Sequence, residues 1–169
     1  QLIIDALNGS STSLSVAKTV VTTGSATNSN LNVGKMIEAK KLMDAGNVPS
    51  EGRCLVIHAN NVAGLLADER AISNDFAVKA LLNGEVTAML GFQIIIIGDR
   101  AEGGLPLSTN DRTCFAFHKS AMGMAEGMGI KTEINYVPEK TSFLVNSMFS
   151  AGAVAIDDEG IVKITCDES

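Results

Sequence analysis

Basic residues are in short supply in this sequence. Thirteen lysines and arginines stand against nineteen aspartates and glutamates, which gives a formal net charge of −6 at neutral pH. A surface with this balance has no general attraction for phosphate backbones. The sequence therefore argues against a protein that binds nucleic acid tightly or reads its sequence.

Cysteine is also scarce, because the chain contains only Cys54, Cys114 and Cys166. An odd number of cysteines does not make a disulfide framework, and each lies in an apolar stretch typical of a β-strand. We expect three buried, reduced thiols that pack as small apolar side chains.

Long apolar runs are missing as well. Ile94 to Ile97 is a continuous apolar run, but a membrane-spanning helix needs about 20 apolar residues. We therefore expect a soluble protein without a membrane partner.

The beginning of the sequence suggests a fragment. It starts at Gln1, with neither an initiator methionine nor a signal segment, and Leu2 to Leu7 has helical spacing that ends at Asn8-Gly9. We expect the last turns of a helix whose earlier part belongs to a longer polypeptide.

What the sequence does contain is enough apolar material for a core, since 46% of its 169 residues are hydrophobic. Asn32 is a typical helix cap, and lysines 35, 40 and 41 occupy the polar side of the helix that follows. Its apolar stripe consists of Val33, Met36, Ile37, Ala39, Leu42 and Met43. Asn60-Asn61 predicts the start of a short second helix, and Asp75 to Leu82 a third.

Several segments predict strands. Arg53 to His58 has the apolar character of a buried strand, and Val86 to Leu90 meets Phe92 to Ile97 at Gly91. The isoleucines at 94–97 favour a strand buried on both faces. Further strands are predicted at 113–118, 122–125, 130–137, 143–150, 154–156 and 161–166, the last two joined as a hairpin by the turn at 157–160. Helices followed by many strands indicate an α+β fold.

Two polar stretches predict surface loops. Ser10 to Asn30 is rich in serine, threonine, glycine and asparagine, so we expect an exposed loop with at most one short strand and no core residues. Asp99 to Asp111 contains Gly103-Gly104 and Pro106 and predicts a second exposed loop.

The pairs Cys54 with His58 and Cys114 with His118 share a Cys-x-x-x-His spacing. Residues four apart on a strand are separated by about 13 Å, too far to bind one zinc ion at about 2 Å. Only pairing between strands would bring such ligands together. The acids at 157–159 lack the alternating spacing of a calcium loop, and the methionines at 122, 124 and 128 are expected to fill the core. The sequence therefore predicts no metal site.

Signals of catalysis are absent too. The sequence has no G-x-S-x-G, G-x-G-x-x-G or P-loop motif, and no cysteine follows a predicted helix start that would lower its pKa. We predict no catalytic residue, no cofactor and no enzymatic activity. The alternative is a small α/β enzyme or ligand-binding domain in which His58, Asp99 and His118 form a polar cluster.

Six segments, taken in order along the chain, carry a family resemblance. Leu42 to Ala59 and Leu65 to Asp68 resemble a stretch of tailed-phage major capsid proteins in which a helix ends in a Val-Pro-x-x-Gly-Arg turn, a strand follows, and the next helix ends in Leu-Leu-x-Asp. The segments Leu82 to Val86 and Leu90 to Ile94 are similar to the family's Gly-x-Val and Gly-Phe-x-Ile strands. The later segments Ala116 to Ala125 and Ile130 to Ile134 are similar to strands of podovirus-type members.

The resemblance implies the capsid fold named for phage Hong Kong-97, which has an axial and a peripheral domain. Residues 1–48 would contain the end of the spine helix, a loop and the first axial helix, residues 49–138 mainly the axial domain, and residues 139–169 strands returning to the peripheral domain. The family's N-terminal arm, extended loop and most of its spine helix have no counterpart in this sequence.

The resemblance also implies a role. The protein would be a structural subunit of an icosahedral phage head in the virion, assembled in the host bacterial cytoplasm into pentamers and hexamers that enclose DNA without sequence-specific contact. Scaffolding, portal or decoration proteins are further expected partners, and the two surface loops are expected to contact neighbouring subunits. A cellular shell that encloses cargo enzymes would share the fold, so this alternative stays open.

Overall fold

The computed structural model of this chain describes residues 1–25, 27–68, 88–99 and 103–169. The helices in these ranges are α1 (Leu2–Asn8), α2 (Val33–Ala45) and α3 (Ala59–Leu66). The strands are β1 (Ser15–Val16), β2 (Arg53–His58), β3 (Ala88–Met89), β4 (Phe92–Ile97), β5 (Leu107–Ser108), β6 (Asp111–His118), β7 (Met122–Val137), β8 (Ser142–Ala155) and β9 (Ile161–Asp167). The mixture confirms the predicted α+β class, while the helix predicted at 75–82 lies outside the described residues.

One sheet organises most of these elements. Its strands lie in the order β1-β9-β6-β2-β4-β3, and β5 pairs with the start of β6. Strand β2 is parallel to β4 and antiparallel to β6, and β9 is antiparallel to β6 and parallel to β1. The parallel pair β2–β4 requires a crossover connection, and α3 lies in the chain between them.

The core lies where β2, β6 and β9 pack against α2. Strand β2 is buried at every position and has a neighbouring strand on each side. The predicted cap is present, since Asn32 Oδ1 accepts a hydrogen bond from the backbone N–H of Lys35 at 2.9 Å. Met36, Ala39 and Met43 of the predicted stripe are fully buried.

Two positions of α2 differ from the prediction. Ile37 is exposed, whereas Lys35, placed on the polar side from its charge, is fully buried. Its Nζ donates hydrogen bonds to the carbonyls of Ser29 and Thr165, which satisfy the ammonium group inside the protein. Burial lowers the pKa of Lys35 below its usual value because it disfavours the charged form.

The segment 10–30 also differs from the expected coreless loop. Val16 lies in β1, pairs with β9 and is buried in the core. Thr12 Oγ1 donates to the Ile161 carbonyl at 2.7 Å, and Lys18 Nζ forms an ion pair with Asp111 at 2.9 Å. This polar segment therefore forms one edge of the sheet, which composition alone did not indicate.

The isoleucine run in β4 is not buried on both faces. Ile94 is buried, but Ile95 and Ile96 are exposed. Within the described part of the chain, β4 is paired on its outer side only at Phe92 and Gln93, through β3. The prediction of a strand buried on both faces is therefore wrong at Ile95 and Ile96.

The predicted C-terminal hairpin is also wrong. Strand β8 pairs with β7, while β9 lies between β1 and β6 in the large sheet. The turn at 158–160 is a short 3-10 helix. It connects β8 in one sheet to β9 in the other and does not join two paired strands. The predicted boundary between residues 138 and 139 falls between two paired strands, β7 and β8. It also places β9 in a different domain from β6, with which β9 pairs.

Replacing Lys35 with methionine will change how stability depends on pH. Unfolded lysine keeps its proton up to about its ordinary pKa of 10.5, whereas the buried Lys35 releases it at lower pH. The free energy of unfolding of the wild type will therefore rise relative to Lys35→Met as the pH increases toward 10.5. Urea unfolding followed by circular dichroism between about pH 7 and about pH 10 measures this difference.

The matched control is Lys41→Met, which changes an exposed lysine of the same helix. Its stability should follow the wild type across the same pH range. Parallel curves for the two variants would contradict the role assigned to the buried ammonium.

Candidate functional site

A long hairpin stands apart from the large sheet. Strands β7 and β8, of 16 and 14 residues, pair with each other and with no other strand in the described ranges. The turn between them is a short 3-10 segment that ends at Thr141, whose φ of 49° is left-handed. The hairpin therefore has two free outer edges and two faces.

The hairpin exposes many large apolar side chains. They are Met124, Met128, Ile130, Ile134, Tyr136, Phe143, Leu144, Val145, Phe149 and Val154. Ile130 and Phe143 reach 78% and 71% exposure. A soluble monomer rarely exposes a contiguous apolar patch of this kind, and an isolated two-stranded hairpin is at best marginally stable in water. The hairpin is therefore a candidate interaction surface.

The outer half of the hairpin has two different faces. Ile134 lies opposite Val145, and Tyr136 lies opposite Phe143, whose ring centroid is 5.3 Å away. We call these four residues the apolar tip face. The opposite face contains the ion pair between Lys131 Nζ and Glu133 Oε1 at 2.7 Å.

Sequence reasoning recognises these strands but not their exposure. Their apolar content predicts core strands, and the methionines at 122, 124 and 128 are expected to fill that core. Met124 is instead 61% exposed, and Met128 is exposed as well. An apolar strand that packs inside its own chain has the same local pattern as one that packs against a partner, so the sequence holds no signal for the difference.

A polar cluster closes one end of the large sheet. Arg112, at the start of β6, binds Asp99 through both terminal nitrogens at 2.9 and 3.0 Å. Its Nε donates to Glu168 Oε1 at 2.7 Å. The Arg112 side chain is almost fully buried, whereas that of Asp99 is 58% exposed.

His58 belongs to the same cluster. Its Nδ1 accepts the backbone N–H of Asn60 at 3.3 Å, so the proton of the neutral ring is on Nε2, which lies 3.5 Å from Asp99 Oδ2. The Arg112 guanidinium holds the pKa of the Asp99 carboxyl below its usual value. His58 thus caps α3, and Asp99 is already paired with a guanidinium.

Asparagines complete the cluster. Asn61 Nδ2 donates to Asn30 Oδ1 at 2.7 Å and to Glu168 Oε1 at 3.2 Å. Asn61 Oδ1 accepts from the His58 backbone at 3.2 Å and from Cys114 Sγ at 3.2 Å. The network joins separate segments of the chain through groups that all have partners, which is the arrangement of a structural network rather than of a reactive centre.

His118 lies elsewhere. It pairs with Arg53, at the end of β2 opposite to His58, so about 16 Å of strand separates the two histidines. Its Nε2 donates to the Glu51 carbonyl at 2.7 Å, and its Nδ1 accepts from the Ser120 backbone at 3.2 Å. The structure therefore does not bring together the cluster of His58, Asp99 and His118 that the alternative required, although His58 and Asp99 do meet.

The three cysteines are free and buried, as predicted. Burial raises the pKa of the Cys54 thiol. A hydrogen bond with Cys166 and burial raise the pKa of Cys114. Among the residues that the structure describes, no three metal-binding side chains converge, and no helix is long and apolar enough to cross a membrane.

Comparison with known proteins identifies the family. The profile of the phage capsid protein family matches residues 1–168. This chain belongs to the phage capsid protein family. The match confirms the resemblance found in the sequence and the prediction of a structural protein.

Solved capsid structures share the fold of this family member. The chain matches the head structure of Helicobacter pylori bacteriophage KHP40 with a TM-score of 0.71 at 12% identity, over 99% of this chain and 64% of that one. The capsid of cyanophage P-SCSP1u gives 0.66 at 20% identity, over 99% and 60%. Mycobacterium phage Che8 gives 0.65 at 19% identity, over 96% and 54%.

These matches confirm the predicted Hong Kong-97-type capsid fold. The capsid chain spans between 54% and 64% of the length of the three proteins compared. Comparison with curated protein sequences finds no match.

The polar cluster of this capsid chain should matter for stability. Replacing Arg112 with leucine leaves Glu168, whose side chain is only 10% exposed, without its cationic partner, which costs about 3–5 kcal/mol of unfolding free energy. The double variant with Glu168→Gln should recover part of the loss because it also removes the buried charge. Urea unfolding of the three proteins measures these differences.

The control for Arg112→Leu is Lys41→Leu, which removes an exposed ion pair with Glu38. We expect a loss of at most about 1 kcal/mol for this variant. If Arg112→Leu lost no more unfolding free energy than the control, the polar cluster would not be the structural network described.

Proposed function

We propose that the protein is a structural subunit of an icosahedral phage head, which associates with copies of itself into pentamers and hexamers that enclose the viral DNA. Family membership supports this role, and the exposed apolar hairpin is the observation that carries it. The folded chain presents an apolar surface that requires a partner, and in a shell that partner is repeated many times.

A shell does not require a strong contact at each interface. Closed symmetry repeats every contact around the particle, so interfaces of modest strength add up to a stable assembly. The apolar tip face provides such a contact, with two aromatic and two β-branched side chains exposed together. Packing against a neighbour would also stabilise the hairpin itself.

We assign the two domains from the strand pairing. The seven-stranded sheet with α2 and α3 corresponds to the axial domain, and the hairpin β7–β8 corresponds to the peripheral domain. Helix α1, which lies beside the base of β8, corresponds to the end of the spine helix. This assignment keeps β9 with β6 in the axial domain, whereas the predicted division at 138/139 falls in the turn of the hairpin.

The net charge of −6 supports a shell that encloses DNA without sequence-specific contact, because an acidic surface does not adhere to phosphate backbones. Assembly would take place in the host bacterial cytoplasm, with scaffolding, portal or decoration proteins as further partners. The loops 10–30 and 99–111 remain predicted contacts with neighbouring subunits.

The test is electron microscopy of the full-length protein expressed with its native upstream sequence, together with the variant Phe143→Asp. The wild type should form shells, rings of five or six, or sheets. Phe143→Asp should abolish them, because it places a charge in the apolar tip face. Size-exclusion chromatography gives the assembled fraction.

Asn135→Asp provides the control, since Asn135 lies on the opposite face of the same hairpin. This variant should assemble like the wild type. A wild-type protein that stays monomeric across salt and concentration, even with a co-expressed scaffold, would refute the proposed function. Normal particles from Phe143→Asp would refute the role of the apolar tip face but would leave the proposed shell function standing.

A further inference from the structure

The two outer edges of the hairpin differ in sequence. Strand β8 has no charged residue and no proline over its 14 residues. Strand β7 contains Glu126, Lys131 and Glu133, and its ladder with β8 is irregular on both sides of Met128. The two strands are similar in length but not in their outer edges.

This difference has a physical meaning. The free edge of a strand presents unpaired N–H and C=O groups that accept a further strand. Proteins protect such edges with charged side chains and with bulges that twist the edge away. Strand β7 has both devices and β8 has neither, so β8 is the edge open to strand addition.

The outer part of β8 is also accessible. Residues 142–147 are all exposed. Helix α1 lies near the other end of the strand, where Ala6 and Gly9 line a shared groove with Ala153 and Ala155. The exposed residues 142–147 are therefore the part of β8 where a further strand would be added.

We propose that β8 pairs in antiparallel register with β8 of a second copy, about a two-fold axis at Asn146. The result is a continuous four-stranded sheet in the order β7-β8-β8-β7. This inference deepens the proposed function, on which it rests, by naming one contact between subunits.

The choice of a second β8 as partner follows from the strands available. Within the described ranges, β2, β6 and β9 already have a neighbour on each side, and the free edge of β7 carries charges. The outer side of β4 is unpaired only beyond Gln93, over residues 94–97. Strand β8 is therefore the long, uncharged strand that remains in these ranges. A strand that pairs with its own copy gives an isologous interface, in which the same patch is used twice.

The register follows from the side chains. With Asn146 at the axis, Phe143 lies opposite Phe149 of the second copy, and Leu144 lies opposite Met148. Asn146 lies opposite itself, so the two amides can exchange hydrogen bonds. Shifting the axis to residue 145 would place Phe143 opposite Ser147, and shifting it to residue 147 would place Asn146 opposite Met148. Cross-strand pairs of like character favour the axis at Asn146.

Cysteine cross-linking of the full-length protein tests the register. In the variant Asn146→Cys, two copies of residue 146 lie directly opposite each other, about 4.5–5.5 Å apart between Cα atoms. This distance allows a disulfide, so mild oxidation should give a covalent dimer on a non-reducing gel. The native cysteines are buried and should not interfere.

Asn135→Cys is the matched control, because Asn135 lies on the same face of the hairpin but on β7. In the proposed sheet its two copies are three strand spacings apart across the sheet and four residues apart along the strands, about 20 Å in all, so oxidation should leave it monomeric on the gel. Equal cross-linking of both variants would overturn the register, because it would indicate non-specific collision.

A second variant keeps the inference testable if Asn146→Cys does not fold. Asn146→Asp places two like charges opposite each other at the axis and should weaken association about tenfold, whereas Asn135→Asp should not. Particles that form normally without a residue-146 cross-link would overturn the pairing of β8 and leave the shell function standing. Absence of both particles and cross-link would count against the shell function itself.

Discussion

The placement of β9 between β1 and β6 is the constraint on which the rest of this structure depends. Strand β6 pairs with β9 over seven successive positions, from Asp111 to Phe117, so the C-terminal strand has to return to the middle of the sheet. The chain between these strands leaves at Ala121 and comes back at Ile156, whose backbone N–H donates to the Ala121 carbonyl at 2.8 Å. The chain between these two points forms the hairpin, and many of its apolar side chains are exposed because β7 and β8 pair only with each other among the described strands.

The polar cluster stabilises the same arrangement from the other end. Glu168 follows β9 directly, and its bond to Arg112 of β6 fixes the last residues of the chain against the sheet. Asn61 then links Glu168 to α3 and to the segment before α2. In such a network, buried charged groups bond to fixed protein partners instead of water. The network therefore holds the segments in one arrangement, and this role is structural rather than catalytic.

The sequence predicted the parts of the fold that depend on local chemistry. The cap at Asn32, the buried strand from Arg53 to His58 and the buried cysteines are each set by a few neighbouring residues. It did not predict that Lys35 is buried, because the carbonyls that accept its hydrogen bonds belong to Ser29 and Thr165, outside the helix that carries it. The same limit applies to β8 and β9, since local pattern cannot tell which strand each one joins.

Because the apolar faces of the hairpin are exposed, a partner that binds them would also stabilise the folded hairpin. A two-stranded ribbon with apolar faces gains little from its own cross-strand contacts, and a partner that covers these faces stabilises the folded hairpin by binding it. The net charge of −6 works in the opposite direction, because it repels copies from one another at a distance. In the proposed assembly, short-range apolar contacts would therefore decide where two copies meet, and β8 contributes no charge to that contact.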